Sequence, residues 1–166
     1  MKRATILILL IVIMGCSAET SNSVPVHYQE TIGNFAYEIK VNKNEFTLND
    51  KIKVYAKIKN IGNETLSYNS GNSSCPVPLW IGIVNQESNK SLNLATKTHS
   101  SCTTDLHISH LEPNQSVEAE LEFKPKYGKK RAPRGIYDVK ITLPSPSIFL
   151  VKDKEYPSAK TSISIK

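Results

Sequence analysis

From residue 35 onward the chain alternates between apolar and polar positions. In FAYEIKV, Phe35, Tyr37, Ile39 and Val41 take every second place, with Ala36, Glu38 and Lys40 between them. In KIKVYAKIKN, Ile52, Val54, Ala56 and Ile58 alternate with lysines and Tyr55. A period of two puts one set of side chains on a core face and the other on a solvent face, so both segments are predicted to be half-buried strands. The intervening NKNEFTLND is rich in Asn and Asp, whose side chains bond their own backbone in turns, and NIGNE ends the second strand with a turn around Gly62.

The later half repeats this pattern. Short candidate strands run from Thr65 to Tyr68, Leu79 to Val84, Leu92 to Ala95 and Leu106 to His110. SVEAELEFK sets Val117, Ala119, Leu121 and Phe123 on one face, GIYDVKITL sets Val139, Ile141 and Leu143 against Asp138, Lys140 and Thr142, and TSISIK closes the chain. No segment sustains a spacing of three to four, and nine prolines punctuate the sequence, so helix is expected to be almost absent. Short strands divided by turn residues predict an all-β fold, an immunoglobulin-like antiparallel β-sandwich of about seven to nine strands.

The first residues follow a different rule. Lys2 and Arg3 precede an apolar run of eleven residues, Ala4 to Met14, well short of the ~20 that cross a bilayer as a helix. The run ends in Ile13-Met14-Gly15-Cys16, which resembles the bacterial lipoprotein signal: an aliphatic residue, a tolerant position, a small residue and a cysteine. The resemblance implies that residues 1–15 are removed and that Cys16 becomes a lipidated N-terminus, holding the protein on the extracytoplasmic face of a bacterial membrane. An ordinary secretory cut is the alternative, and the lack of a spacer before Gly15-Cys16 weighs against it. Ser17 to Gln29 is polar, so residues 16–30 are expected to be the lipidated cysteine and a flexible tether, and residues 31–166 the sandwich domain.

Charge and cysteine content narrow the partners. Of the formal +6, Lys2 and Arg3 supply two, leaving a mildly basic +4 after cleavage. Outside a cell such a chain is not expected to meet nucleic acid; its expected partners are membrane lipid through Cys16 and an envelope protein or anionic polymer. Cys75 and Cys102 form an even pair in an exported chain and are expected to be a disulfide, closing a loop worth about 3 to 4 kcal/mol in chain entropy. Pro76 and Pro78 stiffen that loop. Trp80, the only tryptophan, is expected in the core near the bridge, with an exposed aromatic anchor as the alternative.

Three stretches together carry a family resemblance. IKVYAKIKNIGNETLSY, LEPNQSVEAELEF and PRGIYDVKITL are similar in order and spacing to the BsuPI-type domain, named for an intracellular proteinase inhibitor of bacilli. The resemblance spans roughly residues 35–143 and implies the same sandwich, with proteinase inhibition as the function alternative to a noncatalytic envelope binding module. Asn114 stands where that pattern has glycine and still tolerates a left-handed turn. Pro113, Gly135 and Tyr137 serve a turn, a tight chain reversal and a buried ring whose hydroxyl can bond a loop.

The most basic stretch, KPKYGKKRAPRG, is expected to form a loop between two late strands, and Lys129, Lys130, Arg131 and Arg134 make it a candidate binding loop for an anionic surface or an acidic protease pocket. His99, His107 and His110 lie near Cys102, but His107 and His110 are three apart and would point to opposite faces of a strand. No metal or other cofactor is therefore expected. No nucleophile elbow, phosphate loop or His-Glu-x-x-His is present, so the chain is read as nonenzymatic.

Overall fold

A computed structural model describes residues 23–95, 102–146 and 155–166. Among them lie thirteen strands and no helix; nine strands have four residues or more and four have two. The alternating segments become the long strands, and short paired stretches inside turns supply the rest.

One sheet has the order β1 (Val26–Ile32), β2 (Phe35–Val41), β4 (Ile52–Asn60), β9 (Ser116–Lys124), β7 (Asn93–Leu94), all antiparallel. The facing sheet has the order β3 (Glu45–Phe46), β13 (Ala159–Ile165), β12 (Gly135–Thr142), β6 (Trp80–Asn85), with only β3 running parallel to its neighbour. Two small ribbons, β5 (Leu66–Asn69) with β8 (Ile108–Leu111) and β10 (Lys126–Tyr127) with β11 (Lys130–Arg131), complete the fold. Strands β2-β4-β9-β7 follow the A-B-E-D order of an immunoglobulin sandwich, and β6-β12-β13 follow its C-F-G order. Strand β1 extends the first sheet by one edge strand.

Register follows from burial. Ile39 lies opposite Ala56, and Val41 opposite Val54; Ile52 lies opposite Phe123; Tyr137, Val139 and Ile141 lie opposite Ile163, Ile83 and Ile81 or Ala159. All of these are buried between the sheets. A slip of one residue would turn every one of them outward, so the apolar pattern holds the pairing in place.

The expected tether is shorter than residues 16–30. Val26–Ile32 is a full strand paired with β2 along its length. Val26, Tyr28 and Ile32 pack on the core, while Glu30 occupies the third of the four positions on that face and accepts the Tyr28 hydroxyl at 2.6 Å. That carboxylate breaks the apolar alternation, which is why the segment reads as polar linker. Gly33, at φ +58, makes the tight turn into β2. Every described strand and every described core side chain lies at or beyond Val26. Cys16 itself lies outside the described residues, and no described helix is long and apolar enough to cross a membrane.

The sandwich has two distinct ends. The β4–β6, β7–β9 and β12–β13 connections meet at one, the loop end. At the other lie Val24, where the described chain begins beside Asn44, the β10–β11 hairpin and the C-terminal Lys166.

Candidate functional site

At the loop end, β5 and β8 lie inside two long connections and pair with each other, Leu66 opposite Leu111 and Tyr68 opposite Ser109. Leu66, Tyr68 and Leu111 are buried and seal the ribbon onto the core. Asn60 clamps both connections from a fully buried position: its amide donates to Glu64 O at 2.7 Å and Leu111 O at 2.9 Å, and its Oδ1 accepts from Gly62 N at 3.0 Å. Asn114 adopts φ +66 and donates its N–H to Asn60 O at 2.8 Å, the left-handed turn its side chain tolerates.

The Cys75–Cys102 disulfide is present, with Cα atoms 5.6 Å apart, and joins the β4–β6 and β7–β9 connections. Around it the backbone is held closely. Cys75 N donates to Asn72 Oδ1 at 2.7 Å, and Gly71 sits at φ +91, where an added Cβ would meet Cys75 O at 2.3 Å. Asp105 accepts from Ser73 N at 3.1 Å. The Thr103 hydroxyl, followed by that Ser73 N–H, holds its carboxyl below the ordinary range. The third connection is lashed on by Tyr156, whose hydroxyl donates to Ser67 O at 2.7 Å. The described parts of three connections are thereby tied to one another, which lowers the entropy cost of presenting a binding surface.

That surface carries apolar side chains in the open. Val77 is 40% exposed, Trp80 41%, Leu106 46% and Ile108 37%. Backbone bonds bring three of them together, since Val77 N donates to Ser70 O, and Ser70 N to His107 O. Several exposed apolar side chains gathered at one end of a domain are a feature of binding surfaces. Beside it runs a groove of about 570 Å³ lined in part by Ser70, Pro76, Pro78, His107 and Ser109.

Trp80 is not in the core. Leu79, Ile81 and Ile83 take the inward positions, so period two turns Trp80 and Gly82 outward, and the indole covers Gly82, where a Cβ would stand 2.3 Å from Cη2. The alternation of LWIGI carries this signal, and the exposed position is the alternative that the sequence left open.

The histidines join neighbouring serines. His107 Nδ1 lies 2.9 Å from Ser70 Oγ, which also accepts from Ser109 Oγ at 2.7 Å; His110 Nδ1 lies 3.1 Å from Ser67 Oγ. His99 lies outside the described residues, and among those described no three of His, Cys, Asp and Glu converge as a metal site. The groove offers hydroxyl and imidazole hydrogen bonds to a ligand.

The basic stretch is a hairpin and not an irregular loop. Tyr127 pairs with Lys130 and Lys126 with Arg131 around Gly128 and Lys129, with Gly128 at φ +57. Its tip is gripped by Asn93, which accepts from Gly128 N at 2.9 Å and donates to Gly128 O at 2.7 Å. Ala132 is buried, and the Tyr127 hydroxyl donates to Tyr137 Oη at 3.1 Å. With Tyr127 and Ala132 turned inward, Lys126, Lys129, Lys130, Arg131 and Arg134 are left exposed. The two clusters that sequence singled out, the cysteine loop and the basic loop, therefore stand at opposite ends of the sandwich.

No family model matches the chain, and no curated protein matches it. Among solved structures it is similar to the β-glucosidase EmGH1 from Erythrobacter marinus, at 14% identity over 80% of this chain and 15% of that one, with a TM-score of 0.45. The yjhA protein from Bacillus subtilis is 16% identical over 68% of this chain and 76% of that one, with a TM-score of 0.37. A β-glucosidase from Listeria innocua is 12% identical over 83% of this chain and 16% of that one, with a TM-score of 0.40. This chain thus spans 15 to 16% of the length of those glucosidases, and none of these likenesses assigns it an activity.

Proposed function

We propose that this chain is a lipid-anchored module of the bacterial cell envelope that binds a partner and does not transform a substrate. The observation that carries the reading is the separation of the two ends. The described chain begins at the hairpin end, where Val24 N bonds Asn44 Oδ1 at 3.1 Å, while Val77, Trp80, Leu106 and Ile108 stand exposed at the loop end. A nine-residue strand such as β4, at about 3.3 Å per residue, puts roughly 30 Å between them. A chain held by a lipid on Cys16 would present its disulfide-bound loops away from the membrane.

Two measurements test this. Protein extracted from membranes should lack residues 1–15 and carry acyl mass that a Cys16→Ala variant lacks; full-length or unmodified protein would remove the anchor. A photo-crosslinker placed at Val77 or Ile108 in cells should trap one discrete species, and Trp80→Ser should abolish it, while a crosslinker at His27, exposed on β1 toward the hairpin end, should trap none. Equal trapping from both sites would remove the loop end as the binding surface. Stoichiometric loss of trypsin-like or subtilisin-like activity on titration with the protein would replace the binding reading with proteinase inhibition.

A further inference from the structure

The hairpin end carries a concentration of charge that the fold does not use. Lys124, Lys126, Lys129, Lys130, Arg131 and Arg134 fall within eleven residues, and no acid occurs between Phe123 and Tyr137. All six are exposed. Three lysines nearby are paired, Lys43 with Asp50, Lys51 with Glu122 and Lys166 with Glu45, yet no ion pair among the described residues includes any of the six. Lys126 and Arg131 stand directly opposite one another across the hairpin, an arrangement of like charges that weakens a ribbon unless an anion lies over it.

The rest of the molecule adds direction. Among the described residues, the connections at the loop end carry Glu64, Asp105, Glu112 and Glu155 and no lysine or arginine. The chain emerges at the basic end, and the eight residue steps from Cys16 to Val24 can span at most about 29 Å. Asn93 and Tyr127 fix the hairpin to the body, so its charges cannot turn away independently.

We infer that the hairpin end is a docking surface for anionic phospholipid headgroups, so that the domain sits on the membrane by this end with its loops directed outward. The orientation rests on the anchored reading; the surface does not. Each basic side chain brought near such a membrane strengthens binding roughly fivefold. The hairpin adds this to the acyl chains, and a basic cluster joined to a lipid anchor gives a more durable attachment than either alone.

The test uses a chain beginning at Ser17, which lacks the anchor and the apolar run and keeps every described strand and core residue; its cooperative melt and absent thiols verify folding. It is sedimented with vesicles of phosphatidylcholine containing phosphatidylglycerol, and with phosphatidylcholine alone. Binding is expected only to the anionic vesicles and is expected to fall as salt rises. Replacing Lys129, Lys130 and Arg131 by Gln should weaken it on the order of a hundredfold, whereas replacing Lys57, Lys59 and Lys140 by Gln removes the same charge from the sheet faces and should leave most of it. Equal losses in the two variants, equal binding to neutral vesicles, or capture by soluble polyphosphate with none by vesicles would each overturn the proposal. Acylation of Cys16 is read separately by mass, so a failed surface and a failed anchor give different results.

Discussion

Tyr137 donates its hydroxyl to the carbonyl of Pro133 at 2.6 Å from a fully buried position on β12. The bond reaches back four residues to the chain that leaves the basic hairpin, in the manner of a tyrosine corner at the start of an immunoglobulin F strand. Burial first, and the Tyr127 hydroxyl second, push its phenol well above the ordinary tyrosine range, so it stays a neutral donor at any physiological pH.

Tyr137→Phe keeps the ring and removes that donor. Removing a hydrogen bond of this kind costs about 0.5 to 1.5 kcal/mol, and the hairpin loses one of its ties to the core. Thermal unfolding should show a melting temperature lowered by several degrees, with Tyr127→Phe lowering it less. An unchanged melt for Tyr137→Phe would mean that Pro133 O finds another donor.

The disulfide should account for much of the order at the loop end. Its residues are 27 apart in sequence, which corresponds to about 3 to 4 kcal/mol of restricted unfolded-state entropy. Thiol titration of unfolded protein should detect two more thiols after reduction than before, and the reduced form should unfold at lower denaturant. Two free thiols in native protein would contradict the pairing.

Left-handed glycines separate two costs. Gly128→Ala, at φ +57 with open space around a Cβ, meets backbone strain alone, about 1 to 2 kcal/mol. Gly71→Ala, at φ +91, adds a clash with Cys75 O at 2.3 Å. Chemical denaturation should rank Gly71→Ala as clearly the more damaging, and its effect should shrink once the disulfide is reduced and Cys75 can move.

Asp138 sets an acid limit on stability. Burial raises its carboxyl, but the Gln86 amide at 2.7 Å, the Lys160 ammonium at 3.4 Å and the Ser162 hydroxyl at 3.2 Å outweigh burial and hold it below the ordinary range. A depressed folded pKa contributes stability that is present above the unfolded value, about 3.9, and is lost as pH falls through the folded value. Wild type should therefore lose stability more steeply than Asp138→Asn below about pH 4. Parallel pH profiles of the two proteins would show that the carboxylate contributes nothing.

How much of this was legible in the chain depends on how local the signal is. Phe35–Val41 and Ile52–Asn60 could be read as strands because each carries its own alternation, and burial then leaves them no other register. Val26–Ile32 could not, because Glu30 stands on its inner face and is satisfied by Tyr28, a contact that exists only once the strand has formed. Trp80 shows the reverse case: the alternation of its own strand, Leu79, Ile81 and Ile83 inward, is a local signal that places it outside.

The sequence by itself determined an all-β sandwich and the pairing of Cys75 with Cys102, since period-two patterning and an even cysteine count need no knowledge of distant contacts. Tertiary structure alone decided that β1 extends the first sheet, that Asn60 clamps two loops, and that the basic hairpin and the disulfide stand at opposite ends. The physical reason is range. Side-chain alternation is set by neighbours along the chain, whereas the end at which a loop lies is set by strands that pair across tens of residues.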